Sequence, residues 1–300
     1  MASLWGIDLG GTKIEGVVLP DETSTDVRCR LRIATEADQG YDHILDRIGE
    51  LVTLMEAQVG ETCDTIGIGT PGAEEPSTGF MKNCNTTVLN GKPLPADLSR
   101  KLSKKVIVAN DANCFALAEA RLGAAKGLQN VFGVIMGTGV GGGVVIRGHL
   151  VNGAQGIAGE WGHNLLEPGG EPCYCGKIGC VETVLAGPWL EKFYEKRSGE
   201  RRRLPEIVDR ARAGDDPAAK ETLDRLCRKF GEALSVVVDI LDPDAIVLGG
   251  GVGNIREIYT RGKAELEKWI FNPYPRSNLL KPSLGDSAGV FGAAHLGLPG

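Results

Sequence analysis

The sequence predicts an α/β protein of two similar halves, and three observations carry that prediction. Short apolar runs alternate with amphipathic segments of helical period, in the order expected of strands and helices in α/β domains. A strand–glycine turn–strand pattern over Leu4–Leu19 recurs over Val131–Ile146, which implies two halves facing each other across a cleft. Glycine, 43 of 300 residues, is about twice its usual ~7% share and clusters where apolar runs end, so the fold needs close backbone approach.

Taken in order, Leu4–Asp8 is a strand ending in Asp8-Leu9-Gly10-Gly11-Thr12-Lys13, and Ile14–Leu19 is its hairpin partner. The tip offers backbone N–H groups, a hydroxyl and an ammonium, so it is either a phosphate cradle or a plain β-turn. The Walker A spacing is missing. Val27–Ala34 reads as a third strand. Tyr41–Gly60 is a helix with Ile44, Ile48, Leu51 and Leu54 or Met55 on one face. Thr65–Gly69 is a buried strand that ends in the turn Thr70-Pro71-Gly72-Ala73. Asn83–Leu94 is a polar loop whose asparagines either bind hydroxyl groups or satisfy local turns. Leu98–Leu102 is helical, Val106–Ala109 is a strand, and Cys114–Gly123 is a helix with Asp111 or Asn113 as N-cap. Val131–Met136 leads into the second glycine turn, Gly137-Thr138-Gly139-Val140-Gly141-Gly142-Gly143, and Val144–Arg147 follows as a strand. Pro188–Arg197 and Leu204–Ala213 are helices, and the basic run Arg201–Arg203 is a solvated loop. Asp216–Leu241 is one long helix or two, with Leu223, Leu226, Phe230, Leu234 and Val237 in period. Ala245–Leu248 is a strand ending in a third glycine turn, Gly249–Gly253. Ile255–Phe271 and Val290–Leu296 are helices.

Composition narrows the functional classes. A net charge of −6 and a pI near 5.4 argue against a broad nucleic-acid or acidic-membrane surface, though not against a local anion site made of backbone N–H groups. The first residues lack the basic and apolar regions of a signal peptide, and no window is apolar enough to span a membrane. The expected location is the cytoplasm. Of the eight cysteines, Cys29, Cys63, Cys84, Cys114 and Cys227 are scattered, which suits reduced thiols.

The other three cysteines stand close to a histidine. The stretch Gly159–Glu182 holds His163, Cys173, Cys175 and Cys180, with Glu160 and Glu182 at its edges. Three thiolates and one imidazole form a tetrahedral set suited to Zn²⁺, and four protein ligands leave no position open, so the metal is structural. The alternatives are a disulfide within the set, or free thiols. Three glycine turns after buried strands, with Asp8, Lys13 and Thr138 close by in sequence, suit a nucleoside triphosphate and its Mg²⁺. Asp111, at the carboxyl end of a strand and the start of a helix, is the candidate acceptor of a substrate hydroxyl proton. Asn85, Asn110, Glu160, His163 and Glu182 are candidate contacts to a polyhydroxylated substrate.

These motifs resemble the ROK family (repressors, open reading frames and kinases), and the resemblance spans nearly the whole chain. It rests on Asp8–Lys13, Gly69-Thr70-Pro71-Gly72, Asn110-Asp111-Ala112-Asn113, Gly137–Gly143, Glu160-Trp161-Gly162-His163, Cys173-x-Cys175-Gly176-x-x-Gly179-Cys180-x-Glu182 and Leu248-Gly249-Gly250-Gly251. The last-but-one of these, following the Glu-x-Gly-His element, is the most specific. The resemblance implies an actin-like ATPase (ribonuclease H-like) fold with two α/β domains closing on ATP and a hexose. It implies Asp111 as base, Zn²⁺ on His163, Cys173, Cys175 and Cys180, and sugar contacts from Asn85, Asn110, Asp111, Glu160, His163 and Glu182. ATP and Mg²⁺ are expected at Asp8, Gly10, Gly11, Thr12, Lys13, Gly137, Thr138, Gly139, Gly250 and Gly251. The final helix is expected to return to the first domain, giving a discontinuous domain of residues 1–113 plus 286–300 and a second of 114–285. A homodimer is the expected assembly, with no nucleic-acid or membrane partner.

Within the family the pattern is most similar to bacterial fructokinases of the manno(fructo)kinase type, with N-acetylglucosamine kinases beside them; a glucokinase is a further alternative. A sugar-sensing transcriptional regulator is the rival from another class. It is disfavoured because seven residues precede Asp8, too few for a helix-turn-helix, and because the chain is acidic.

Overall fold

A computed structural model describes residues 3–298, which divide into two compact units. The first unit runs to Leu128, resumes over Gly143–Ala158 and again from Ser283; the second comprises Gln129–Gly142 and Gly159–Pro282.

The first unit opens with strands β1 (Leu4–Leu9), β2 (Lys13–Leu19) and β3 (Cys29–Ala34), and continues with α1 (Tyr41–Val59), β4 (Thr65–Thr70), the short pair β5 (Ala73–Glu74) and β6 (Met81–Lys82), α2 (Leu94–Leu102), β7 (Lys105–Asn110) and α3 (Asp111–Arg121). Its main sheet has the order β3-β2-β1-β4-β7. The β1–β2 and β2–β3 pairs are antiparallel, while β1–β4 and β4–β7 are parallel. α1 covers one face through Ile44, Ile48, Leu51 and Met55; Met55, not Leu54, completes the stripe, and Leu54 is exposed. Gly60, in the left-handed region, ends the helix with an N–H bond to Glu56 O.

The chain then forms β8 (Asn130–Met136), β9 (Val140–Ile146) and β10 (His149–Val151), followed by α4 (Glu182–Leu185), α5 (Gly187–Ser198), α6 (Leu204–Ala213), α7 (Pro217–Leu241), β11 (Ala245–Gly249), the single turn α8 (Gly250–Gly253), α9 (Lys263–Glu267), β12 (Leu279–Leu280) and, back in the first unit, α10 (Ala288–Ala294). The second sheet has the order β10-β9-β8-β11-β12, with β8, β11 and β12 parallel. α7 is one helix, not two. The Asp216 carboxylate caps it by accepting from Ala219 N at 2.9 Å, and Leu223, Leu226, Phe230, Leu234 and Val238 are buried; Val238 takes the place expected of Val237.

Several expectations change. A boundary after Asn113 would cut α3, whereas the compact unit extends to Leu128 because α3 packs against α10. Gly143–Ala158 joins the first unit because a Cβ on Gly143 would meet Ala112 O at 2.8 Å, and because the Arg121 guanidinium donates to Gly148 O at 3.0 and 3.2 Å. Glycines 141–143 are extended strand rather than turn. A Cβ on Gly142 would lie 2.7 Å from Phe132 Cζ, so these glycines serve close approach. The third glycine turn is a helical turn, and the expected helix 255–271 is a π-helical stretch, Ile258–Gly262, running into α9. α3 is capped by Asn110, whose side chain accepts from Ala112 N at 2.9 Å, rather than by Asn113. The strand order and mixed directions of the first sheet are those of the actin-like ATPase fold. Among the described residues no helix is long and apolar enough to cross a membrane.

Candidate active site

In the first unit Asp8 stands near the end of β1. The following turn is closed by Gly10 N–H bonding Lys13 O at 3.0 Å, and the Thr35 hydroxyl donates to Gly10 O at 2.7 Å. Gly11 approaches Thr86, whose Oγ1 would be 3.4 Å from a Cβ there. The turn thus keeps Gly10, Gly11 and Thr12 in one tight shape with Lys13 beginning β2. Asp8 titrates at about 6, raised first by burial, then by the charges of Asp111 and Glu15, with Lys13 opposing.

Asp111 is the first residue of α3, directly after β7, and accepts from Ala112 N at 2.7 Å. Solvent reaches it, yet the protein packed around it disfavours its charge and raises its pKa, against hydrogen bonds from Ala112, Asn110 and its own backbone. Asn110 gives its side-chain oxygen to the cap. Asn85 is exposed, with its N–H on Pro71 O at 3.3 Å. Asn90 settles its own alternative: its amide accepts from Cys84 N at 2.8 Å and donates to Cys84 O at 3.1 Å, so it braces the loop.

In the second unit the Gly137–Gly139 turn closes by Gly137 N–H on Gly139 O at 2.9 Å, and Gly187 N–H bonds Gly137 O at 2.9 Å. A cavity of about 600 Å³ opens there. Gly137, Thr138 and Gly251 line it with apolar groups from α5, α6 and the start of α8: Pro188, Leu204, Val208 and Val252. This volume suits a nucleotide-sized ligand. The apolar wall was not read from the sequence. No local motif marks it, because it forms only where the first turns of α5 and α6 meet the glycine turns.

Between Glu160 and His163, the residues Trp161 and Gly162 are fixed by packing. The Trp161 ring is buried edge-on to Phe132, its Nε1–H donates to Gly141 O at 3.3 Å, and a Cβ on Gly162 would lie 2.0 Å from Val140 O. Glu182 is buried. Its Oε2 accepts from Val140 N at 3.0 Å and its Oε1 lies 3.7 Å from Cys173 Sγ, so it ties the second glycine turn to the cysteine cluster.

The four expected ligands converge, with ligand atoms of His163, Cys173, Cys175 and Cys180 all within 4.8 Å of one another. Cys173 Sγ to His163 Nδ1 and Cys175 Sγ to Cys180 Sγ are both 3.6 Å. A tetrahedral Zn²⁺ with ~2.3 Å Zn–S and ~2.0 Å Zn–N bonds has edges of about 3.8 and 3.5 Å, so the residues fit the ion. No disulfide takes their place; all eight cysteines are free. Bridges pairing Leu165 with Cys180 and Pro172 with Ile178 shape the loop. Gly179 has φ 74°, and a Cβ on it would fall 1.8 Å from Glu167 O, so only glycine fits. The Tyr174 hydroxyl lies 3.2 Å from His163 Nε2, and its pKa is pushed up to about 12, by partial desolvation first and then by Glu182 and Glu160.

An ROK family model matches residues 4–298, and the chain belongs to that family. A relative from Pectobacterium atrosepticum, an N-acetyl-D-glucosamine kinase, is 36% identical over 304 residues covering 98% of both chains. The ROK hexokinase from Thermus thermophilus superposes with a TM-score of 0.89 at 32% identity, covering 98% of this chain and 97% of that one. A ROK family glucokinase from Streptomyces griseus, solved with glucose and AMPPNP, gives 0.77 at 28% identity over 98% and 99%. The activity printed for the Pectobacterium relative matches the N-acetylglucosamine kinase alternative rather than the fructokinase expectation.

Proposed function

We propose that this protein is an ATP-dependent kinase whose acceptor is N-acetylglucosamine. The observation that carries the kinase reading is Asp111, placed at the junction of β7 and α3 with its charge disfavoured by its surroundings. A raised carboxylate is a better proton acceptor than an ordinary one of pKa ~3.9, and in phosphoryl transfer it takes the hydroxyl proton late, as attack proceeds. The relative's acceptor supplies the sugar.

The roles follow residue by residue. The nucleotide occupies the cavity lined by Gly137, Thr138 and Gly251; Gly139 and Gly250, expected with them, shape the adjoining turns without lining it. In the first unit the backbone N–H groups of Gly11 and Thr12, with the Lys13 ammonium, offer a phosphate-binding turn, Gly10 N–H being held by Lys13 O, and Asp8 offers a carboxylate for Mg²⁺. Glu160, His163 and Glu182 in the second unit, and Asn85 and Asn110 in the first, are the candidate partners of sugar hydroxyls. Zn²⁺ on His163, Cys173, Cys175 and Cys180 supplies structural order when bound, keeping His163 and Glu182 in fixed positions. Fully ligated by protein, it has no position for substrate.

The test is ADP release with Mg·ATP against N-acetylglucosamine, N-acetylmannosamine, glucose, mannose, fructose and no sugar. The highest kcat/KM is expected for N-acetylglucosamine. A higher value for fructose overturns the acceptor, and no sugar-dependent turnover in zinc-replete protein overturns the kinase reading. In the same assay Asp111→Asn should keep sugar affinity and lose ~10²–10⁴ in kcat.

A further inference from the structure

The two nitrogens of His163 have different neighbours. Nδ1 faces Cys173 Sγ within the four-ligand cluster. Nε2 lies 3.2 Å from Tyr174 Oη, and the two rings meet edge to face at 5.2 Å and 87°. A neutral imidazole that gives the Nδ1 lone pair to a metal carries its one proton on Nε2, so that nitrogen is a donor in need of an acceptor. Tyr174 supplies the acceptor although its ring is 67% exposed and gains little from burial. It stands between two ligands, Cys173 and Cys175, and the turn closed by Gly176 N–H on Cys173 O at 3.0 Å presents it to the imidazole.

We propose that Tyr174 is a positioning residue for metal-bound His163: its phenol oxygen accepts the Nε2–H hydrogen bond while the sugar site is empty, and a sugar hydroxyl replaces it when substrate binds. The first half stands on the geometry of the loop. The second half rests on the reading of His163 as a sugar contact. Together they couple zinc to sugar through one hydrogen bond. With Tyr174 present, Nε2–H has an acceptor with or without sugar, so this bond adds nothing to the effect of sugar on zinc affinity. With Tyr174→Phe, the ring and its edge-to-face packing stay, the acceptor is lost, and only bound sugar can restore it.

Loss of the outer partner of a metal-bound histidine lowers metal affinity by roughly 10–100-fold. The experiment measures zinc affinity by competition with a chromogenic chelator, for wild type and Tyr174→Phe, without and with saturating N-acetylglucosamine. Without sugar, the variant is expected to bind zinc at least ~10-fold more weakly, with an unchanged melting temperature at saturating zinc. N-acetylglucosamine should bring the variant to the wild-type value measured with the same sugar, closing the gap seen without it. Equal sugar-free affinities overturn the proposal. A weakened variant that is not restored by a sugar the enzyme phosphorylates overturns the exchange at Nε2. Should no sugar be phosphorylated, the proposed acceptor fails, while the sugar-free comparison still decides the role of Tyr174.

Discussion

Asp8 holds its proton to about 6, against an ordinary value of 3.8, because its carboxyl is buried and shares its surroundings with Asp111 and Glu15. The difference is worth on the order of 3 kcal/mol between the two protonation states. The folded protein therefore binds a proton more tightly than the unfolded chain. That contribution to stability is complete below the unfolded value and is lost as pH rises through about 6. Other carboxylates act in the opposite sense; Glu75, for example, is lowered to about 2, chiefly by its bond from Lys82. The clean readout is thus a difference. Asp8→Asn mimics the protonated form, so in urea unfolding of ligand-free protein it should gain stability relative to wild type, on the order of 3 kcal/mol, between pH 4 and pH 7. A constant offset across that range would show that Asp8 ionises normally in the fold.

At the scale of elements, the loop from His163 to Cys180 has almost no regular structure; backbone bonds such as Leu166 N–H on Gly179 O at 2.8 Å and the Arg225–Glu167 ion pair at 2.7 Å hold it, and its Cys/His cluster is the proposed further brace. Its regular structure is two isolated bridges, and Leu165, Tyr174 and Ile178 are exposed rather than packed. Elemental analysis should find one zinc per chain. Stripping it with a chelator should make residues 164–179 the first site of proteolysis while the far-UV spectrum scarcely changes. A stripped protein whose loop stays protected would place the ordering in the Leu166 and Trp161 packing instead. This loop was legible in the sequence because thiols and imidazole at tight-turn spacing have few other uses. Helices α1, α6 and α7 were legible because their apolar period is long and unbroken. The apolar cavity wall of Pro188, Leu204 and Val208 was not, since each residue is an ordinary apolar position until α5 and α6 are placed. Nor was the π-helical stretch Ile258–Gly262 inside the helix over 256–267, since nothing in an apolar period marks the one wider turn.

At the scale of the whole molecule, the chain leaves its first unit twice and comes back each time, so that unit is finished only by the last helix. α10 packs on α3, β1, β2 and β4. It lies directly on backbone, not on side chains. A Cβ on Gly6 would be 2.5 Å from Ala294 N, one on Gly67 1.8 Å from Ala293 O, and one on Gly292 1.8 Å from Cys114 O. Three glycines, far apart in sequence and each weak as a signal, serve this one contact. It also sets the ground under Asp8 and Asp111, which lie on β1 and at the start of α3. Gly292→Ala is therefore expected to destabilise by about 3 kcal/mol or more, the upper end of overpacking, because no rotamer change can move a carbonyl. That is a large part of the ~5–15 kcal/mol that holds a typical domain. Gly49→Ala in α1 is the control. There the new methyl meets only Lys101 Cε at 3.3 Å, a flexible side chain, and helix propensity favours alanine by up to ~1 kcal/mol. Thermal melting should separate the two variants in opposite directions. Equal midpoints would mean that α10 can lift away from α3 without loss.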